Sequence, residues 1–304
     1  MKPSSLFVPC GDLTLHVETF GQADRPAVLL IMGNSAPGLV WPDAFCAGLA
    51  ETGFRVIRFD QRDTGLSSHV DYESAPYDLA DLAAEGLAVL DALAIQHAHV
   101  VGLSQGGSVA CRIALAAPGR VASLALLMSS LRLGPKNRAF AGLDPEPGAL
   151  PQPAAAYVAE VIALNAVAPQ GAADIARSFV ENFRLAKGPA SPFDEAFWAD
   201  LGAQVAAIPE QRGDGQVARM ANSSNHRKAQ MATAELTEAE LEAIGIPTLV
   251  LHGDGDPIFP MAHADWTARA LGAARVEVIA DMGHALDPAF FAPILSRLTA
   301  HFAT

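Results

Sequence analysis

Cysteine is scarce in this chain: Cys10, Cys46 and Cys111 are three thiols among 304 residues. An odd number at scattered spacing cannot pair fully within one chain and matches no metal-ligand pattern. A disulfide scaffold and a thiolate metal centre are therefore excluded, and a reducing, cytoplasmic setting is the expectation. Positive charge is also in short supply, with 20 Lys and Arg against 33 Asp and Glu and a net charge of -13. A surface of that sign repels polyanions, so nucleic acid and anionic membrane are not expected as partners. No apolar run approaches the ~20 residues that span a bilayer, and none follows Met1-Lys2-Pro3-Ser4-Ser5 to make a secretion signal. A His-Glu-x-x-His helix and ligand-spaced His/Cys/Asp clusters are missing too, so neither a metal nor another cofactor is expected.

What is present is a large apolar fraction, 51% of the residues, enough for a sizeable core in an α/β domain with an insertion. Short apolar runs alternate with helical patterns, the sign of a mostly parallel sheet covered by helices. The runs read as strands over Leu13–Thr19, Ala27–Met32, Arg55–Asp60, Ala98–Leu103, Ser123–Met128, Thr248–His252 and Arg275–Ile279. Helical patterns occupy Asp43–Glu51, Tyr77–Leu93, Gly107–Ala116 and Met261–Leu271. The rhythm breaks after Leu131. A Pro/Gly-rich stretch, Gly142–Pro153, precedes Ala-rich amphipathic segments that carry Phe179, Phe183, Phe193, Phe197 and Trp198. The expected organisation is a core of residues 1–130 and 235–304 with a helical cap inserted at 131–234.

Chemistry is concentrated in Gly102-Leu103-Ser104-Gln105-Gly106, which ends the apolar run His99-Val100-Val101 and opens a small-residue helix. In that context Gly-x-Ser-x-Gly is a nucleophile elbow, a strained turn that exposes the serine hydroxyl and aims the first helical amides at it. A serine nucleophile needs a base and a carboxylate to orient the base. His284, in Asp281-Met282-Gly283-His284-Ala285, follows the last strand; Asp256, in Gly253-Asp254-Gly255-Asp256-Pro257, follows the strand before it. Asp254 is the rival acid, and Pro257 and Ile258 favour Asp256. The earlier strand ends in Ser129-Ser130-Leu131, without a carboxylate. The oxyanion formed on attack needs two donors: the amide of Gln105, and the amide of Asn34 in the loop Gly33-Asn34-Ser35-Ala36-Pro37-Gly38. The other histidines read as surface or capping residues, with His226 able to line the pocket from the cap.

Five separated segments together resemble the α/β-hydrolase superfamily. They are Met32-Gly33-Asn34, Asp60-Gln61-Arg62-Asp63-Thr64-Gly65-Leu66-Ser67, the elbow, Gly253-Asp254-Gly255-Asp256-Pro257 and Met282-Gly283-His284. The chain order Ser, Asp, His is that of the superfamily. Within it, Arg62-Asp63-Thr64-Gly65 and the Met-Gly start of the oxyanion loop are most similar to the aclacinomycin methylesterase group. The resemblance implies Ser104 as nucleophile, His284 as base, Asp256 as orienting acid, and Asn34 and Gln105 as oxyanion donors. It implies hydrolysis of a small to medium hydrophobic ester, such as the methyl ester of a cyclic or polyketide-like compound, through an acyl-enzyme. The same triad serves carbon-carbon bond hydrolases, lactonases and amidases, and a receptor-like member can keep it to bind a ligand. The Asp60–Ser67 loop reads as a structural brace.

Overall fold

The computed structural model describes residues 1–212 and 220–304, with side chains described outside 209–223. Eight strands form one sheet: β1 (Ser4–Cys10), β2 (Leu13–Phe20), β3 (Ala27–Ile31), β4 (Arg55–Phe59), β5 (Ala98–Leu103), β6 (Val121–Leu127), β7 (Thr248–Gly253) and β8 (Ala274–Ile279). Their spatial order is β1-β2-β4-β3-β5-β6-β7-β8. Strands β3 to β8 are parallel, whereas β2 runs antiparallel to both β1 and β4. Every residue of β3 and β7 is buried, as expected of interior parallel strands covered on both faces.

Eleven helices accompany the sheet among the described residues: α1 (Asp43–Glu51), α2 (Leu79–Ala92), α3 (Gln105–Ala116), α4 (Gly134–Phe140), α5 (Ala155–Leu164), α6 (Ala172–Ala186), α7 (Glu195–Arg212), α8 (Met220–Ala232), α9 (Glu238–Glu242), α10 (Ala262–Leu271) and α11 (Phe291–Phe302). One sheet face packs Leu29, Ile31, Val100 and Val250 against apolar residues of α2, α3 and α10. The opposite face packs Val28, Leu30, Val101 and Leu249 against α1 and α11. Alternate residues along each strand therefore serve two cores, which is the geometry of a three-layer sandwich.

Between β6 and β7 the described residues contain helices and no strand, in line with the loss of strand patterning after Leu131. Elements outside the expected set, the short α9 among them, complete the fold. Strand β1 is an edge on which only Val8 is buried and Phe7 is 57% exposed, with Pro9 tolerated because no further strand pairs there. Helix α11 buries Ile294, Leu298 and Phe302 at helical spacing. The expectation of surface histidines is corrected: His16, His226, His252, His263 and His301 are all buried. Each is held by a backbone carbonyl, a hydroxyl or a carboxylate, which removes the cost of burying an imidazole.

Candidate active site

The chemistry-bearing residues all lie past the C-terminal ends of parallel strands, where open α/β sheets place their ligands. Ser104 sits between β5 and α3 with φ 54° and ψ -122°, a left-handed conformation that only surrounding structure can hold in a non-glycine residue. Its amide donates to the Leu127 carbonyl at 2.9 Å, and its carbonyl accepts the Ser129 hydroxyl at 2.6 Å and the Gly107 amide at 3.0 Å. The turn is thus clamped from both sides. Gly106 lets α3 approach β3, since a Cβ there would collide with the Ile31 carbonyl. Gly33 lies on the far side of the serine, where a Cβ would stand 3.6 Å from Ser104 Oγ; the loop after β3 therefore runs beside the hydroxyl.

Helix α3 begins at Gln105, two residues earlier than the sequence pattern places it. The Gln105 amide is consequently the first in the helix, with no intrahelical acceptor available. The Asn34 amide has no acceptor among the described residues. Ser35, with φ 64°, bends the loop immediately after it, and its hydroxyl donates to Asn34 Oδ1 at 2.9 Å.

Asp256 is buried, and one carboxylate oxygen accepts the Ile258 and Phe259 amides at 2.8 and 2.9 Å. The other faces His284 Nδ1 at 2.7 Å. Burial pushes the Asp256 carboxyl up, but the His284 imidazole and its hydrogen bond, His252 and the Phe259 amide outweigh it and hold the group below the usual carboxylate range. With Nδ1 engaged, the His284 ring has Nε2 available for proton transfer. His252 supports the acid from behind, donating from Nε2 to the Phe259 carbonyl at 2.7 Å with Asp256 at 3.6 Å. The rival Asp254 is exposed and accepts the Asp281 amide at 2.7 Å, so it ties the acid loop to the histidine loop and does not touch the imidazole.

The segment between β6 and β7 builds the other wall. The His284 amide donates to the Ala186 carbonyl at 2.8 Å, and the chain passes so close at Lys187 that a Cβ on Gly283 would overlap its carbonyl. Trp198 is fully buried, stacked on Phe183 at 4.6 Å and on Phe193 at 5.3 Å, and packs on Ala285. Its indole donates to Asp287 at 3.0 Å. The aromatic residues of this segment are thus mutual packing that seats it on the histidine loop.

His226 is fully buried in α8 and does not line an open pocket. Its Nε2 donates to the Arg62 carbonyl at 2.7 Å, so its Nδ1 accepts the Ser35 amide, 3.1 Å away. Four residues on, Gln230 Oε1 accepts the Gln105 side-chain amide at 3.1 Å. This i, i+4 pair spans the loop after β3 and the elbow from one helix face. Its only sequence trace is a histidine and a glutamine one turn apart.

The comparisons with known proteins agree with this fold. The family described as "alpha/beta hydrolase fold" matches residues 26–286. The chain is similar to "Rhodomycin D methylesterase DnrP" of Streptomyces peucetius, 32% identical over 293 residues that cover 95% of each chain. It is also similar to "Rhodomycin D methylesterase DauP" of Streptomyces sp. (strain C5), 33% identical over 294 residues with 95% of each chain covered. Among solved structures, 2-hydroxy-6-oxo-6-phenylhexa-2,4-dienoate hydrolase from Rhodococcus sp. strain RHA1 superposes with a TM-score of 0.75. That match covers 100% of this chain and 99% of the other at 22% identity, and it shows the shared fold.

Proposed function

The chain belongs to the alpha/beta hydrolase fold family, and on that premise we propose that it is a serine-dependent carboxylic ester hydrolase whose nucleophile is Ser104. The observation that carries the proposal is the left-handed Ser104 at the tip of β5, accompanied on the same sheet edge by a buried carboxylate-imidazole pair at 2.7 Å.

In the proposed reaction, His284 Nε2 takes the Ser104 proton as Oγ attacks the ester carbonyl carbon. The amides of Asn34 and Gln105 receive the developing oxyanion, a contribution for which losing one donor typically costs about 2.7 to 4 kcal/mol of barrier. Collapse breaks the bond to the alkoxide oxygen, which leaves with the proton from His284. Water, deprotonated by the same imidazole, then hydrolyses the acyl-enzyme. Asp256 stays ionised and holds the ring with Nδ1 towards itself. Residues 131–234 act as the cap that selects the substrate. The resemblance to the rhodomycin D methylesterases supports a methyl ester on a bulky apolar acyl group as the substrate class. Three free thiols support a cytoplasmic setting.

Parallel hydrolysis of a graded set of p-nitrophenyl esters by the wild type and by Ser104→Ala tests the reading. Sustained turnover in the wild type that is lost in the variant is expected. Equal activity of the two proteins would overturn it.

A further inference from the structure

Helix α4 contributes a lysine that no step above uses. Lys136 Nζ donates to Gln230 Oε1 at 3.3 Å and stands 5.9 Å from the centre of the Phe259 ring. Gln230 Oε1 is the same atom that accepts the Gln105 side chain at 3.1 Å, and the Phe259 ring lies 5.6 Å from the His284 ring. The ammonium is therefore one contact removed from the elbow on one side and from the catalytic imidazole on the other.

The ring it stands over belongs to an apolar cluster. Leu133, Ala186, Ile258 and Phe259 form one buried cluster with Tyr157 packed against it. Lys136 is crowded by protein yet keeps accessible surface. Among the described residues its electrostatic neighbours leave it uncompensated. Burial pushes the ammonium down to about 8, and the charge that acts on it is the like charge of Arg227. Among the described residues no carboxylate pairs with it. A crowded cation without a counter-ion is costly unless an anion completes it.

Resting on the esterase reading of the adjacent site, we propose that Lys136 is the recognition point for a carboxylate on the acyl part of an otherwise apolar ester. The preferred substrates are then half esters of dicarboxylic acids over neutral esters of the same length, and the charge-assisted hydrogen bond supplies the discrimination.

The test compares p-nitrophenyl half esters of succinate, glutarate and adipate with p-nitrophenyl butyrate, valerate and hexanoate. In the wild type, kcat/KM favours the anionic partner about tenfold at the best chain length, mainly through KM. Lys136→Met collapses that ratio to about one, and Lys136→Arg keeps most of it. Lys136→Gln retains the hydrogen bond to Gln230 without the charge, and should also lose the preference; it keeps the test decisive if the methionine variant folds poorly. An anion-to-neutral ratio unchanged by Lys136→Met and Lys136→Gln, or a wild type that disfavours the half esters throughout, would overturn the proposal. Calorimetric binding of monomethyl glutarate to Ser104→Ala, with and without Lys136→Met, separates the two readings. Lysine-dependent binding without turnover in the wild type would sink the esterase reading and keep the anion site, whereas turnover with lysine-independent binding would do the reverse.

Discussion

His226 Nδ1 accepts the Ser35 amide at 3.1 Å, joining α8 to the loop after β3 across 191 positions of sequence. Because the Arg62 carbonyl can only accept, the ring carries its proton on Nε2, and the acceptor offered to Ser35 belongs to the neutral imidazole. Ser35 is the residue after Asn34, so this bond sets where the Asn34 amide points.

His226→Asn places an acceptor at the δ position and keeps the Ser35 bond, whereas His226→Gln places a donor at the ε position and keeps the Arg62 bond. Both variants should melt below the wild type. If the ring positions the oxyanion loop, kcat of the asparagine variant should exceed that of the glutamine variant by about tenfold, since misaimed donors lose most of their effect. Equal kcat values would leave His226 a packing residue. Steady-state kinetics with thermal melts decides.

Asp256→Asn should lower kcat by about 10⁴-fold, by offering the imidazole a donor where it needs an acceptor. Asp254→Asn removes only the charge from a surface bond to the Asp281 amide, and kcat should stay within a few fold of the wild type. Measuring both with one ester discriminates the two acids. Comparable losses would contradict the assignment.

Asp60 braces three segments: its carboxylate accepts the Gly38 amide at 2.7 Å, the Leu66 amide at 2.9 Å and His16 Nδ1 at 3.0 Å. Asp60→Ala leaves these donors buried and unsatisfied, which costs about 1 to 3 kcal/mol each. The expected result is a melting temperature lowered by several degrees, with kcat below the melt largely retained. A large kcat loss at unchanged stability would make the loop a substrate contact.

Acid should destabilise the protein through its buried histidines. Burial is the leading cause that holds His226, His263 and His301 below their ordinary value, and it takes His99 to about 4. The unfolded chain therefore binds more protons than the native one below pH ~6.5, and stability falls as pH drops from there towards 4. Each such histidine contributes up to about 1.4 kcal/mol per pH unit inside its window. Chemical denaturation from pH 7 to 5 should show the decline, and His99→Phe, which can keep the stacking on Phe302 at 4.4 Å, should flatten it.

The sequence alone determined the interior of the sheet and the place of the elbow turn, and it put forward Asp256 and His284 as the candidate acid and base. Strands β3 to β7 are buried on both faces, so their apolar runs stand out. The elbow depends on glycines placed two residues to either side of Ser104, a purely local spacing. The edge strand β1 escaped because a strand with one buried residue has no apolar pattern to show. Local residues, Pro257 and Ile258, favoured Asp256 over Asp254 because the turn that carries the carboxylate is itself local, and the 2.7 Å approach of Asp256 to His284 supports that preference.

Only the tertiary structure decided the rest. That His226 meets Ser35, that Gln230 links Gln105 to Lys136, and that Trp198 packs beside Ala285 are contacts between segments of about 90 to 190 residues' separation. Nothing in the local sequence distinguishes a histidine that holds an oxyanion loop from one that caps a helix. Both present the same imidazole, and its role is fixed by which backbone groups the folded chain brings to its two nitrogens.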